Sequence, residues 1–163
     1  MTGRRNSGRS TFFLSLLKET YRVSGCVMLF GKIRFMNLKN SSIITGTMRD
    51  NIILGSRFEK EKYYRILDLV GLDINVFVGS DFVEILENGS NLTFQQKWKM
   101  ILARMLYSDG DIYLIHHFFD ELSPHERKEV FKKIVLKELK NKTVIFSSND
   151  PKLMTYSEKL LHF

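Results

Sequence analysis

Two short, unbroken apolar runs constrain the fold of this 163-residue chain more than any other feature of its sequence. Residues 112–115 (IYLI) and 143–147 (TVIFS) lack the apolar/polar alternation of a strand with one wet face, so each is predicted to be a strand covered on both faces. Helical patterns lie between the predicted strands, which predicts an α/β fold with a parallel sheet flanked by helices. Ligands of such sheets bind beyond the carboxyl ends of the strands, so the residues that follow each strand are the candidates for a site.

The rest of the chain contains apolar spacings and capping boxes that predict helices. Tyr63, Ile66 and Val70 lie on one face of a predicted helix. Thr93 and Ser123 each open a capping box, with Gln and Glu three residues on. The predicted helices cover 10–20, 47–54, 58–70, 93–107, 123–139 and a short stretch from 150, and further strands cover 27–30, 33–36 and 159–163.

Composition narrows the class of protein. With 44% hydrophobic residues the chain is not disordered, and its length suits one domain. The single cysteine, Cys26, excludes an internal disulfide and a cysteine-based metal cluster, and it favours a reducing, intracellular location. The net charge of +7 indicates attraction to phosphates of nucleotide, nucleic acid or lipid, or else a solvated lysine-rich surface.

A phosphate-loop pattern starts at Gly3. The spacing Gly3-x4-Gly8-Arg9-Ser10 fits G-x4-G-K-[ST] at every position but the lysine. In such a loop, backbone N–H groups surround phosphate oxygens at a helix N-terminus, and Ser10 would bind magnesium. A Gly/Ser turn before a helix is the alternative. The candidate nucleotide-binding residues are Gly3, Asn6, Ser7, Gly8, Arg9, Ser10 and Thr11.

Further segments follow in a recognisable order: GTMRDNIILG at 46–55, DFVEILENGSNL at 81–92, LARML at 102–106 and DIYLI at 111–115. With them the chain resembles the nucleotide-binding domain of an ATP-binding cassette (ABC) transporter, of the subfamily C branch that contains the multidrug-resistance-associated and chloride-channel proteins. The resemblance implies a P-loop NTPase-like sheet with an inserted helical subdomain, about 47–107, that carries the signature stretch. It implies one partial domain over 1–163.

The departures from the family fall on its chemical residues. The resemblance puts His116 at the Walker B aspartate, His117 at the general-base glutamate and Asn149 at the switch histidine. Neutral imidazole is a poor ligand for magnesium, and asparagine cannot shuttle a proton. Adjacent strand residues point to opposite faces, so we do not expect the two histidines to chelate one metal ion. By the resemblance, no catalytic position is intact.

Other family positions have changed as well. The signature L-S-G-G-Q is represented by Leu92, Thr93, Phe94, Gln95 and Gln96. The side chain of Phe94 is expected to block the close backbone approach that glycine allows. The family's Q-loop glutamine falls at Lys39 or Leu38.

The family's antiparallel N-terminal strands, and the central strand before the phosphate loop, are expected to be largely missing. The neighbouring strands near 112–115 and 143–147 would then lose a pairing partner. We favour Met1 as an internal methionine of a longer protein over an open fold that needs a partner.

Three functions compete. The leading hypothesis is a degenerate cassette with weak or no ATP binding through residues 7–11 and no hydrolysis, a regulatory or structural partner of transporter membrane domains or another cassette. It would lie in the cytoplasm, at the cytoplasmic face of a membrane, with ATP as the implied ligand and magnesium disfavoured. An ATP-hydrolysing transporter subunit is the alternative. A basic RNA- or ribosome-associated cassette is the third, although no arginine-rich run interleaved with aromatics supports nucleic-acid binding.

Overall fold

A computed structural model describes residues 1–4, 6–39, 41–77 and 80–163. The chain forms two compact units. The first combines Met1–Lys39 with Gly110–Phe163, and the second is Asn40–Asp109. The second unit matches the helical insertion expected at about 47–107. The single partial domain over 1–163 stays a prediction.

The helices and strands alternate as the sequence indicates. In chain order they are α1 (Arg9–Leu16), β1 (Ile33–Asn37), β2 (Gly46–Thr47), α2 (Met48–Ile53), α3 (Lys60–Val70), β3 (Glu84–Ile85), α4 (Phe94–Tyr107), β4 (Ile112–His116), α5 (Pro124–Val130), β5 (Thr143–Phe146) and α6 (Pro151–Met154). Short 3₁₀ segments occupy Ile74–Phe77, Glu87–Gly89 and Phe119–Glu121, and α5 continues as a π-helix over Phe131–Glu138. The predicted α/β fold class is confirmed.

A parallel three-stranded sheet forms the frame of the first unit, in the order β1-β4-β5. Strand β4 is buried at all five positions and pairs with β1 on one side and β5 on the other. The expectation that residues 112–115 lose a pairing partner is therefore wrong, because both neighbours of β4 are present. Strand β5 is exposed at Thr143 and half-buried at its middle positions, so the expectation of a strand covered on both faces is wrong there.

Residues Met1 and Thr2 form a short extended segment beside the end of β5. The Met1 nitrogen donates to Phe146 O (2.8 Å), and the Ser148 nitrogen donates to Met1 O (3.0 Å). On its other side Thr2 forms a parallel bridge with His162. The strand predicted over 159–163 is thus reduced to an isolated bridge at His162, where Thr2 N donates to Leu161 O and Phe163 N donates to Thr2 O.

Two further predictions need correction. Helix α1 ends at Leu16 instead of near residue 20, because Lys18 adopts a left-handed conformation with φ 62°. Residues 27–30 form no regular strand; Met28 is 70% and Phe30 84% exposed, and apolar side chains alone do not make a strand without a neighbouring chain to pair with.

The core of the first unit lies between α1 and the sheet. Phe13 and Leu16 of α1 pack with Ile112 and Leu114 of β4, and Phe12 and Ile145 pack against this cluster. Because α1 is fixed on the sheet by its buried face, its first turn is held over the carboxyl ends of β4 and β5. In the described parts of the chain, no helix is long and apolar enough to cross a membrane.

The second unit packs helices α2 and α3 against α4, with β2 and β3 as a two-stranded antiparallel ribbon. Its core includes Tyr63, Ile66, Trp98 and Leu102. The predicted capping box at Thr93 is present: Gln96 N donates to Thr93 Oγ1 and Thr93 N donates to Gln96 Oε1. Helix α4 therefore begins where its sequence indicates.

Candidate functional site

The turn before α1 contains two residues with a left-handed backbone conformation. Asn6 lies in the left-handed region (φ 64°), as does Gly8, the N-cap of α1 (φ 94°). Ser7 N donates to Arg4 O (3.2 Å), which closes the turn. Positive φ values suit glycine and asparagine, so these residue types explain why the chain can turn here and start a helix at Arg9.

Gly3 and Ser7 pack closely inside this turn. A Cβ at Gly3 would lie 2.7 Å from Ser7 Oγ and would collide with the carbonyl oxygen of Phe163. The Ser7 hydroxyl oxygen is buried and has no hydrogen-bond partner among the described residues. The absence of a side chain at Gly3 is therefore what lets the turn close. Thr11, one turn into the helix, is exposed.

Arg9 is directed at the end of the sheet. Its side chain is 8% exposed, and its Nη1 donates to Asn149 Oδ1 (3.1 Å). Asn149 in turn donates its backbone N–H to Asp120 Oδ1 (3.1 Å), an acceptor that also binds Ser148 Oγ (3.0 Å). Arg9 and Asn149, which the resemblance assigns to the phosphate-loop lysine and the switch histidine, are thus hydrogen-bonded to each other.

Ser10 and His116 meet at the carboxyl end of β4. Ser10 Oγ lies 2.9 Å from His116 Nε2, and His116 Nδ1 lies 2.9 Å from Ser147 Oγ. His116 is 1% exposed and stacks on the Phe13 ring with centroids 4.5 Å apart. Both ring nitrogens of His116 are therefore engaged by hydroxyls, one from α1 and one from the residue after β5.

His117 does not continue the strand. Its φ of 52° takes it out of the extended conformation, and the His116 and His117 ring centroids are 3.8 Å apart. The expectation that the two rings point to opposite faces is wrong, because alternation of side chains holds only while the backbone stays extended. Within the described ranges, no cluster of three or more His, Cys, Asp or Glu could hold a metal ion.

Electrostatics keep both histidines neutral. Burial, followed by the nearby His117, Arg9 and Lys39, lowers the pKa of His116 to about 4. Burial, then Lys39 and Arg9, also lowers the pKa of His117. At neutral pH both rings are uncharged, so they offer nitrogen lone pairs and no negative charge.

Magnesium does not fit this donor set. The ion prefers carboxylate, carbonyl and water oxygens in a near-octahedral shell. Ser10 Oγ, the one hydroxyl that the resemblance assigns to the ion, is hydrogen-bonded to an imidazole nitrogen of His116. A neutral imidazole thus lies against the hydroxyl, where a magnesium ion prefers oxygen donors.

Sequence reasoning missed Ser147 and Asp120. Ser147 Oγ contacts His116 Nδ1 and accepts from the His117 backbone N–H (3.2 Å), and Asp120 holds Asn149. The position of Ser147 at the end of an apolar strand was the available signal, because residues there face the ligand side of a parallel sheet. Lys39, one of the two candidates for the Q-loop position, forms an exposed ion pair with Glu121 (3.2 Å).

The signature stretch belongs to the second unit. Thr93 and Gln96 are used to cap α4, and Phe94 is the first residue of that helix, 52% exposed. Leu92 is half-buried, whereas Gln95 is exposed. These five residues therefore form the start of α4, and the Phe94 ring is largely exposed to solvent.

The sheet, the turn and the helix define an α/β protein with a P-loop NTPase-like fold. No family model matches the chain. It is 33% identical to ABC transporter C family member 9 of Arabidopsis thaliana over 98% of its length, and 34% identical to ABC transporter C family member 3 of Dictyostelium discoideum over 91%. It is also 34% identical to mouse ATP-binding cassette sub-family C member 2 over 83%.

These likenesses run through almost the whole chain and agree with the motif order. The chain is an ABC subfamily C-like domain. It spans 11% of the length of the Arabidopsis and Dictyostelium relatives and 9% of the mouse relative.

Proposed function

We propose that this chain is a degenerate ABC transporter cassette domain that binds ATP weakly or not at all and does not hydrolyse it. It serves as a regulatory or structural partner of transporter membrane domains or of another cassette, at the cytoplasmic face of a membrane. The 2.9 Å contact between Ser10 Oγ and His116 Nε2 carries the proposal, because it places an imidazole against the hydroxyl that a magnesium ion would need.

The neighbouring groups support the same conclusion. The Arg9 guanidinium donates to Asn149 Oδ1, so the cation at the expected phosphate-loop lysine position is bound by the protein itself. An arginine also differs from the compact lysine ammonium that suits a phosphate loop. Because Arg9 is engaged, the backbone N–H groups at the start of α1 are the donors that we expect to bind phosphate, and to bind it weakly.

Water activation is disfavoured for a second reason. A positioned general base contributes about 10²–10⁴ in rate. His117 stands at the family's glutamate position, and burial lowers its pKa, which makes the ring a weaker base. Asn149 has no titratable proton to exchange near neutral pH.

The sequence identity to the relatives, together with the packed core, favours a docking role. Identity of 33–34% extends over at least nine-tenths of the chain in the two longer alignments. In the first unit α1 packs on β4, and in the second unit α4 begins at a capping box. A packed hydrophobic core combined with a neutral histidine at the expected metal-binding position fits a domain that is used for its surface.

Nucleotide binding and turnover test the proposal. Titrate the chain with ATP in the presence of magnesium and of a chelator, and measure phosphate release with and without a competent cassette. We expect no turnover and no magnesium dependence. Turnover that vanishes in Arg9→Ala or Ser10→Ala, but persists in the control Lys18→Ala, would overturn the proposed lack of hydrolysis in favour of an ATP-hydrolysing subunit.

Salt-dependent RNA binding at physiological ionic strength would favour the RNA-associated alternative instead.

A further inference from the structure

A tight turn in the second unit places an asparagine directly before a glycine, at Asn88 and Gly89. Both residues have a left-handed backbone conformation, with φ 53° at Asn88 and φ 62° at Gly89. Asn88 is exposed to solvent, whereas Gly89 is buried. Glycine and asparagine adopt positive φ at lower cost than other residues, so both residue types suit this turn.

An asparagine followed by glycine is also chemically reactive. The backbone nitrogen of the glycine can attack the side-chain carbon Cγ of the asparagine, because the glycine has no Cβ to hinder the approach. The packing of the turn requires glycine here as well, since a Cβ at Gly89 would lie 3.0 Å from Ile43 Cδ1 and 3.2 Å from Leu92 Cδ1. The fold therefore keeps an unhindered nitrogen next to the exposed amide of Asn88.

The folded turn holds the two reacting groups apart. Gly89 N donates to Leu86 O at 2.8 Å, and this bond must break before the nitrogen can lose its proton and attack. The ψ of Asn88 is 21°, which turns Gly89 N to the side of the Asn88 Cα–C bond that faces away from Cβ. Ring closure therefore requires opening of the turn, a local unfolding event.

The side chain of Asn91 braces this turn. Asn91 Nδ2 donates to Glu84 O (2.9 Å), and Leu86 N donates to Asn91 Oδ1 (3.0 Å). Leu86 is thereby fixed at its nitrogen, while its carbonyl accepts from Gly89. We expect the two bonds of Asn91 to control how often the turn opens.

We propose that Asn88 is a site of spontaneous deamidation, and that the turn braced by Asn91 sets its rate. Gly89 N loses its proton to hydroxide and bonds to Asn88 Cγ. The Cγ–Nδ2 bond breaks, and ammonia leaves with a proton from water, which closes a five-membered succinimide ring. Water then opens the ring at Cγ to give aspartate, or at the backbone carbonyl carbon to give isoaspartate. No oxidant or reductant is needed, and the inference does not depend on the proposed lack of ATP hydrolysis.

Peptide mapping by mass spectrometry measures the reaction in the whole chain. The chain is incubated at mildly alkaline pH in native buffer and in guanidinium chloride, and the mass gain from replacement of NH2 by OH is followed at Asn88. We expect conversion in native buffer to be slower by at least about tenfold, because only the opened turn reacts. Asn91, which is followed by the bulky Leu92, is the internal control and should stay unconverted.

Asn91→Ala tests the brace. The variant is expected to deamidate at Asn88 about tenfold faster in native buffer, and at an unchanged rate in denaturant. Hydrogen exchange of the Gly89 amide is expected to accelerate in parallel, because the same opening exposes it to water. Asn75→Ala is the matched control: this exposed asparagine of the second unit donates to Asp73 Oδ1, and its loss should leave the rate unchanged.

Three outcomes would overturn the proposal. One is the lack of conversion at Asn88 in the denatured chain. Another is an equal rate in native buffer and in denaturant, which would mean that the turn does not limit the reaction. The third is an Asn91→Ala variant that stays folded by circular dichroism and reacts at the wild-type rate. The first two comparisons use the unaltered sequence, so they hold however the variant folds.

Discussion

Ser10 Oγ and His116 Nε2 lie 2.9 Å apart at the carboxyl end of β4, joining the first turn of α1 to the centre of the sheet. The contact belongs to a longer chain of hydrogen bonds, because the other ring nitrogen of His116 reaches Ser147 Oγ at 2.9 Å. A neutral imidazole between two hydroxyls stabilises the junction of helix and sheet, where a carboxylate would instead present a charge to a cation.

Stability is predicted to fall as the pH is lowered from about 6.5 to 4. Burial holds the pKa of His116 at about 4, below its usual 6.5, so in this window the unfolded chain binds a proton that the folded chain does not. The unfolding free energy therefore decreases with falling pH, by about 3 kcal/mol across the window. His117, whose pKa is also lowered, acts in the same direction.

Urea unfolding at pH 7, 5.5 and 4 measures this effect, with each unfolded population followed by circular dichroism. His116→Asn should flatten the pH dependence, because it removes the buried imidazole. An equal slope in the wild type and His116→Asn would contradict the assignment of a buried, neutral imidazole.

Ser147→Ala is predicted to destabilise the first unit by about 1–3 kcal/mol. The substitution leaves His116 Nδ1 and the His117 backbone N–H without the hydroxyl that both contact. Chemical denaturation gives the free energy, and Ser15→Ala on α1 is a matched control, because the Ser15 hydroxyl donates to Phe12 O within the same helix. An unchanged stability in Ser147→Ala would show that water replaces the hydroxyl at no cost.

Arg49→Lys is predicted to destabilise the second unit by about 1–3 kcal/mol although the charge is kept. The Arg49 guanidinium forms two hydrogen bonds with Asp81 (2.8 and 3.0 Å) and lies over the rings of Phe58 and Phe82, 4.3 and 4.2 Å from their centroids. A lysine ammonium cannot reproduce the two-point contact or the planar stacking. Thermal unfolding measures the loss, with the exposed Arg65→Lys as control; equal shifts in both variants would contradict the account.

Local signals were sufficient for much of the fold. The boxes at Thr93 and Ser123 predicted helix starts correctly, because donor and acceptor lie three residues apart and need no tertiary partner. The unbroken apolar run at 112–115 correctly predicted a strand buried on both faces, because the lack of apolar/polar alternation itself indicates burial. Its position between two neighbouring strands was not predicted. Residues 27–30 failed as a strand, because pairing depends on a neighbour that their own sequence does not specify.

The sequence predicted several residues of the site but not the contacts between them. The glycine spacing and the strand end pointed to Ser10 and His116, but the 2.9 Å contact between them joins positions 106 residues apart and cannot be read from spacing. The turn at His117 was missed, because a left-handed φ at a histidine has no sequence signature as strong as glycine. The role of Ser147 depends on β5 lying beside β4, a tertiary relationship.

Magnesium dependence of ATP binding tests the central claim most directly. Isothermal titration of the purified chain with ATP, once with excess magnesium and once with a chelator, compares the two affinities, and His116→Asp provides the restored carboxylate. We predict equal, weak or undetectable binding under both conditions for the native chain, because His116 Nε2 engages Ser10 Oγ. Magnesium that tightens ATP binding to the native chain by about tenfold or more would contradict the account.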